Sequence, residues 1–380
     1  MKTKERDSNL EALRILSMFL IVLDHSLVFS LGFGKFATNL CVWGAGVGVN
    51  CFVLISGYYM ITSRITLEKI LRLWAQVAAY SVVLCGIYLI NRAADGEACG
   101  ALEAAGHLAK AFFSIFGYSY WFVSVYVILM LGSPFLNQYL CRISKAERLR
   151  FCAALFLLVV INPFTGSYCG KIGWFVLLYS IAAAFRLHPD LIRTNRRIFR
   201  IMASGSFAVI LACVFLRQAS ADYIPGALGL NINRVLDTIG VREYSWAEFV
   251  LSVSLFALFA SCGMGQVRWI NRIAACSLGV YLLHVNRYFL FWPWKNVFHI
   301  DSMEGSPWIL PYCLCSSIVV YLVCTSVEML RMQTLGRLYD CAARKWILPR
   351  AEAVWGKVRH AFERPIKIIC SDASDGKETN

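Results

Sequence analysis

Charged side chains are scarce in this sequence. Aspartate, glutamate, lysine and arginine make up 16% of its 380 residues, whereas they make up about 25% of a soluble globular protein. Hydrophobic residues make up 58%. They recur in apolar runs of about 18 residues or more, the length that a helix needs to cross a bilayer. The composition excludes an ordinary soluble domain and predicts an all-α, polytopic membrane protein that sits in a lipid bilayer.

The fifteen cysteines lack the spacing of a metal site or a disulfide framework, since the sequence contains no CxxC pair. Most of them lie inside apolar runs, where cysteine behaves as a small hydrophobic residue. A cleavable signal peptide is also lacking, because the first apolar run is too long and no small-residue cleavage site follows it. We therefore expect no bound metal, and we expect the first apolar run to stay in the protein as a membrane span.

Ten segments are candidates for transmembrane helices. They are residues 12–30, 42–61, 73–90, 119–140, 151–163, 171–186, 201–217, 247–264, 273–292 and 308–330. Residues 101–117 precede the fourth segment, and we expect a helix at the membrane surface there. Residues 222–241 contain Pro225, several glycines and charged side chains such as Arg234 and Asp237, which favours an external loop or a re-entrant piece.

Lysine and arginine are unevenly divided between the two sides of this ten-span arrangement. With the N-terminus in the cytoplasm, the cytoplasmic segments contain 27 of them and the outer loops contain 8, which is the asymmetry of the positive-inside rule. We therefore expect both termini to be cytoplasmic. The same rule explains the net charge of +14 without nucleic-acid binding. Residues 1–330 are predicted to form the membrane domain, and 331–380 a basic cytoplasmic tail beside anionic lipid, with a disordered end.

The first apolar segment contains ionisable residues, which are costly inside a bilayer. Arg14 and His25 are eleven residues apart, about 20° past three full helical turns, so they share one face and lie roughly 16 Å apart along the axis. Glu11 lies on the same face, whereas Asp24 points about 100° away. Such a face favours a protein interior or a wet cavity. Two other interpretations stay open: Arg14 extends to the headgroups, or His25 is a structural histidine.

Four further stretches contain candidate functional residues. The second segment ends with Ser56 and Gly57, where a helix can break and its backbone can approach a ligand; ordinary small-residue helix packing is the alternative. Lys69 and Arg72 follow on the predicted cytoplasmic side. They suit a phosphate-rich ligand, although positive-inside charge alone explains them.

Aromatic residues and a second histidine lie in the later segments. Trp121 starts the fourth segment, where an aromatic belt at the membrane interface also explains it. Tyr281 and His284 are three residues apart in the ninth segment and therefore share a helix face. Two histidines within apolar segments indicate a site inside the membrane domain.

These stretches together resemble acyltransferase family 3, the integral membrane O-acyltransferases of the bacterial envelope. The resemblance rests on five pieces of sequence in order, namely LEALRILSMFLIVLDH, FVLISGYYM, RITLEKILRL, YWFVSVYVILMLGSPFLN and SLGVYLLH. The first contains an arginine and a histidine separated by ten residues, and the second an F-x3-S-G element. Together they extend over nearly the whole predicted membrane domain.

The resemblance implies an acyl transfer across the membrane. The donor is acyl-CoA in the cytoplasm, most often acetyl-CoA, and the acceptor is a hydroxyl of an envelope glycan or a lipid-linked sugar at the outer face. His25 is then the acyl-transfer histidine, and Arg14, with Arg72 and Lys69, binds the donor. The resemblance implies that the other candidates support this site; they are Glu11, Asp24, Ser56, Gly57, Trp121, Tyr281 and His284. The implied location is the bacterial plasma membrane.

Two other functions fit some of the same features. A transporter or exporter of a polar envelope precursor also needs many spans and intramembrane ionisable residues, although it more often has repeat symmetry and paired broken helices. An inactive sensor or assembly partner is the third hypothesis. Arg14 and His25 on one face at opposite depths favour the acyltransferase, since a donor and an acceptor then meet from two sides.

Overall fold

The computed structural model describes residues 7–63, 65–117, 120–165, 170–241, 244–334 and 336. Within this part of the chain every regular element is a helix, which confirms the predicted all-α class. The α-helices are α1 Ser8–Leu31, α2 Phe36–Met60, α3 Leu67–Ala94, α4 Ala101–Phe112, α5 Trp121–Arg142, α6 Lys145–Thr165, α7 Gly170–Leu187, α8 Asp190–Arg193, α9 Arg196–Tyr223, α10 Gly226–Leu236, α11 Trp246–Ala260, α12 Arg268–Ala274, α13 Ser277–His284 and α14 Ile309–Gln333. Short 3₁₀-helices lie at Ser114–Phe116 and Ile300–Met303, and π-helices at Asp237–Val241 and Pro293–Val297.

Eight helical segments among the described residues are long and apolar enough to cross a membrane. They are Ser8–Leu31, Phe36–Met60, Leu67–Ala94, Trp121–Arg142, Gly170–Leu187, Arg196–Tyr223, Gly226–Ala260 and Ile309–Gln333. The chain is therefore a polytopic helical membrane protein. The predicted fifth segment, 151–163, lies inside α6, which is helical but is not among these eight. The predicted surface segment 101–117 contains α4 and the 3₁₀-helix that follows it.

The predicted ninth segment, 273–292, differs from a continuous helix. It consists of the end of α12, all of α13 and a series of turns before the π-helix at Pro293. Asn286 gives the local reason, because its side-chain oxygen accepts a hydrogen bond from the backbone N–H of Tyr288 at 3.0 Å. Such a local side-chain bond competes with the helical ladder, so α13 ends at His284.

Residues 222–241, predicted as an external loop or a re-entrant piece, form the end of α9, all of α10 and the π-helix Asp237–Val241. Pro225 lies just before the first helical residue with an extended backbone. The far end is held by tertiary contacts: Arg217 of α9 donates to Asp237 at 2.8 Å, and Leu236 and Val241 pack into an apolar cluster with residues of α9. These contacts outweigh the low helix propensity of the glycines.

Helix α1 packs very closely on α2. A methyl group added at Gly48 would lie 2.5 Å from the backbone oxygen of Ser17, and one at Gly44 would lie 3.2 Å from that of Leu20. Two glycines four residues apart therefore form the surface that lets the helix backbones touch, a common device where lipid replaces water. Helix α1 ends at Leu31, and the next residue, Gly32, has a φ of 81°, which suits glycine.

Helix α2 uses its other small residues against other helices. A methyl group at Gly57 would lie 2.9 Å from the Cα of Tyr179 on α7, and one at Gly46 would lie 2.2 Å from the carboxylate of Glu248 on α11. The helix continues through Ser56 and Gly57 to Met60, with the Ser56 hydroxyl bonded to the backbone oxygen of Phe52 at 2.8 Å. The helix break considered at Ser56–Gly57 is thus not seen, and Gly57 serves helix packing.

The chain divides into two compact units, Met1–Ile65 with Gln76–Glu328, and Thr66–Ala75 with Met329–Asn380. The residues from 66 to 75 thus group with the C-terminal part, and the division into a membrane domain and a tail at residue 330 stays a prediction. The predicted basic tail falls almost entirely on residues outside the described part of the chain. Of the candidate residues, Lys69 and Arg72 belong to the second unit and the others to the first.

Candidate functional site

Two histidines meet inside the first unit. Nδ1 of His25 on α1 lies 3.0 Å from Nε2 of His284 on α13, and the ring centroids are 5.2 Å apart. His284 is buried, with 3% of its surface exposed, whereas His25 keeps partial exposure. The other ring nitrogen of His284, Nδ1, lies 2.6 Å from the backbone oxygen of Val280. The two intramembrane histidines that the sequence singled out therefore form a hydrogen-bonded pair.

The pair meets because α1 runs alongside α12 and α13 in the same direction. Near the start of α1, the hydroxyl of Ser8 donates to the side-chain oxygen of Asn271 on α12 at 2.9 Å. The same hydroxyl accepts a hydrogen bond from the backbone N–H of Val267 at 2.7 Å. This polar contact fixes the register of α1 at one end, and the histidine pair lies at the other.

Aromatic rings hold the two histidines in place. Phe29, one turn after His25, stacks on its ring with centroids 4.8 Å apart and an interplanar angle of 27°. Phe291 in turn packs edge-on against Phe29 at 5.7 Å. Tyr281 lies edge-on to His284 with centroids 6.2 Å apart, so the structure brings these two predicted site residues together.

A buried polar cluster fixes the end of α13 beside His284. The hydroxyl of Tyr120 donates to the backbone oxygen of Leu282 at 3.0 Å and accepts from the side-chain amide of Asn286 at 2.8 Å. Tyr120 and Asn286 are each 1% exposed. Because buried polar groups that are fully bonded resist displacement, this cluster holds the backbone that carries His284. The sequence analysis did not single out Tyr120 or Asn286.

Arg14 pairs with Glu11 on the same face of α1. Nη1 of Arg14 lies 3.1 Å from Oε2 of Glu11, with side chains 24% and 3% exposed, respectively. The ion pair keeps the buried carboxylate from being an isolated charge, which would be very costly. Arg14 keeps partial exposure, so its remaining donors are within reach of an anionic ligand.

The other predicted residues lie in separate surroundings. Asp24 is buried, with 4% of its surface exposed. Nδ1 of the neighbouring His25 contacts His284. Trp121 carries the ammonium of Lys171 over its ring at 3.5 Å, a cation–π contact. In the second unit, Arg72 donates from Nε and Nη2 to one oxygen of Glu68, at 3.0 and 2.7 Å.

Two buried carboxylates escaped the sequence analysis. Glu328 on α14 is 1% exposed and accepts hydrogen bonds from the hydroxyl of Tyr80 at 2.5 Å and the amide of Gln76 at 3.0 Å. A methyl group at Gly279 on α13 would lie 2.4 Å from this carboxyl group, so glycine makes room for it. Glu248 on α11 is fully buried. Ionisable residues within apolar segments are the signal that points to both.

The chain also matches a known family. A family model for an acyltransferase domain, that of acyltransferase family 3, matches residues 7–326. No curated protein and no solved structure matches the chain significantly. The matched range contains α1 with Arg14 and His25, α13 with His284, and nearly all of the membrane helices. The resemblance drawn from the five sequence motifs is thus confirmed, and the chain belongs to acyltransferase family 3 as a multi-pass membrane acyltransferase.

Proposed function

We propose that this protein moves an acyl group, with acetyl as the favoured one, from cytoplasmic acyl-CoA to a hydroxyl of an envelope glycan or a lipid-linked sugar. The single observation that carries the proposal is the contact between His25 and His284, which sets a partly exposed imidazole inside the membrane domain. Arg14 lies on the same helix face, about 16 Å away along the axis. The family membership favours this function over a transporter.

The proposed reaction uses His25 as the base. Its imidazole takes the proton of the acceptor hydroxyl as that oxygen attacks the thioester carbonyl. The new C–O bond forms, the C–S bond breaks, and the proton passes from His25 to the departing thiolate of coenzyme A. Atoms and charges then balance without a metal or a redox partner. A positioned general base contributes about 10²–10⁴-fold to such a transfer.

Arg14 is proposed to bind the phosphates of the donor. For Lys69 and Arg72, which belong to the second unit, donor binding stays a prediction from the sequence. A guanidinium suits this role because its planar fork matches phosphate oxygens. The proposed orientation places both termini in the cytoplasm of a bacterial cell, in the plasma membrane, as the 27-to-8 distribution of basic residues indicates. The donor then enters beside Arg14, and the acceptor reaches His25 from the outer side.

The decisive experiment measures transfer from labelled acetyl-CoA by purified protein in nanodiscs that contain envelope glycans and lipid-linked sugars. We expect His25→Gln to lose about 10²–10⁴-fold in turnover, since an amide cannot take a proton near neutral pH. The matched control is His188→Gln. His188 lies 2.5 Å from Nη1 of Arg148, away from the pair, and the amide oxygen of glutamine replaces that contact. Near-normal turnover in His25→Gln would make His25 structural and overturn the proposal.

A further inference from the structure

We infer that His284 is a positioning residue that fixes the tautomer of His25 and leaves Nε2 of His25 as the nitrogen that accepts the hydroxyl proton. The inference rests on the proposed function for the identity of the reaction. The assignment of hydrogens rests on geometry alone. Three polar groups lie in a row, namely the Val280 carbonyl, the His284 ring and the His25 ring.

The assignment starts from the backbone. The carbonyl oxygen of Val280 is only an acceptor, so the His284 nitrogen 2.6 Å away, Nδ1, must carry a hydrogen. A neutral imidazole has a single N–H, and Nε2 of His284 is therefore an acceptor. The hydrogen in the 3.0 Å contact between the two rings must then belong to Nδ1 of His25. By the same count, Nε2 of His25 has a free lone pair.

The opposite assignment is unfavourable at both contacts. A lone pair on Nδ1 of His284 would face the lone pairs of the Val280 oxygen at 2.6 Å. His284 is 3% exposed and Val280 is fully buried, so little water is available to relieve that repulsion. A ring nitrogen whose partner is a backbone carbonyl keeps its tautomer for this reason. The buried cluster of Tyr120 and Asn286 keeps this stretch of backbone in place.

The arrangement survives the catalytic cycle. When Nε2 of His25 takes the hydroxyl proton, the resulting imidazolium keeps its hydrogen on Nδ1 and continues to donate to His284. When Nε2 returns the proton to the thiolate, the starting tautomer is restored without any ring rotation. Phe29 stacks on the His25 ring with centroids 4.8 Å apart, a contact that does not depend on which ring nitrogen carries the proton. His284 itself takes no part in bond making, since its two nitrogens are engaged with His25 and Val280.

Two amide variants separate this role from simple packing. In His284→Gln, the longer side chain places its amide oxygen near the position of Nε2, where it accepts from His25. In His284→Asn, the amide reaches only as far as Nδ1, so it keeps the bond to Val280 but offers nothing to His25. We expect kcat within about tenfold of wild type for Gln. For Asn we expect a loss on the order of 10²-fold, with KM for donor and acceptor nearly unchanged, because a wrong tautomer of a catalytic histidine acts mainly on kcat.

Equal kcat values for the two variants at matched thermal stability would overturn the inference. A second measurement needs no activity: nitrogen NMR of ¹⁵N-histidine-labelled protein shows which ring nitrogen carries the hydrogen. The His25 signals are identified by their loss in His25→Gln. We expect a single tautomer with the hydrogen on Nδ1 in wild type and a mixture in His284→Asn. A hydrogen on Nε2 in wild type would refute the inference.

The two proposals fail in different ways. Wild-type protein that transfers no acyl group from acyl-CoA refutes the proposed function, yet the NMR result still decides the tautomer. Wild-type protein that is active, with equal kcat in the Gln and Asn variants, refutes only the role of His284.

Discussion

The ion pair between Arg14 and Glu11 makes a prediction that separates stability from donor binding. Arg14→Ala leaves the Glu11 carboxylate, 3% exposed, without its cation. Removing one partner of a buried pair costs about 3–5 kcal/mol, chiefly through the charge left behind. The side chain of Arg14 is 24% exposed, so solvent already screens part of the attraction. We therefore expect a loss of about 2–3 kcal/mol in the free energy of unfolding.

The double variant Arg14→Ala with Glu11→Gln tests the cause. A neutral amide removes the uncompensated charge, so we expect it to regain more than half of the lost stability. Coenzyme A affinity should behave differently, because both variants lack the guanidinium. One charge-assisted hydrogen bond contributes about 1.5–3 kcal/mol, and we expect both to bind coenzyme A on the order of 10–100-fold more weakly than wild type.

The assay pairs chemical unfolding in micelles with coenzyme A titration of the same samples. Arg217→Ala is the matched control, because Arg217 lies 2.8 Å from Asp237 with side chains 23% and 8% exposed. It removes a comparable half-buried ion pair, so it should lose stability and keep its coenzyme A affinity. If the double variant regains both stability and affinity, Arg14 is a structural anchor. If Arg14→Ala is as stable as wild type, the structural part of the argument is wrong.

Two further predictions concern other parts of the fold. Gly48→Ala should lose about 1–3 kcal/mol of stability through overpacking against α1, whereas Gly86→Ala on α3, with no atom within 4 Å of the added methyl group, should be neutral or slightly stabilising in the same unfolding assay. Acid should loosen the contact of α6 with α8, because the hydrogen bond from Lys145 lowers the pKa of Asp190. That stabilisation is present above the unfolded pKa of about 4 and is lost as the pH falls through the lower folded value. The protection of the Asp190–Arg193 amides, taken relative to their intrinsic exchange rate at each pH, should therefore fall in that range, but not in Lys145→Ala.

Much of the fold was predictable because lipid restricts the choices. Backbone groups in hydrocarbon must be bonded within the segment, so a long apolar run forms a helix. The same regularity predicted that Arg14 and His25 share a face of α1. This rule does not predict where a helix ends when a side chain competes for backbone hydrogen bonds, as Asn286 does just after α13. It also does not predict a helix rich in glycine that is stabilised by tertiary contacts such as Arg217 to Asp237.

The site was predictable only in part. Helical periodicity gives the face on which His25 lies, but it does not identify what faces it, and His284 is 259 residues away. The sequence indicates each histidine separately as a candidate site residue, and it places His284 and Tyr281 on one face of the same helix. Glu328 was missed although it lies in the tenth apolar segment, where an ionisable residue is costly. Had Glu328 been considered together with the two histidines, the sequence would have indicated two neighbours of α13, namely α1 with His25 and α14 with Glu328.

The structure also links catalysis to the assembly of the membrane domain. Helices in lipid gain little from hydrophobic association, so close packing and polar contacts set their positions. Helix α1 packs closely against Gly48 of α2 in its middle part. It makes a polar contact through Ser8 near its start and the His25–His284 contact toward its end. The contact between the proposed base, His25, and His284 is therefore one of the contacts that hold α1 in place. His25→Ala removes a base and a helix contact together, so a loss of activity in that variant has two explanations. The glutamine and asparagine variants at position 284 leave His25 itself in place, and the comparison between them isolates the chemistry.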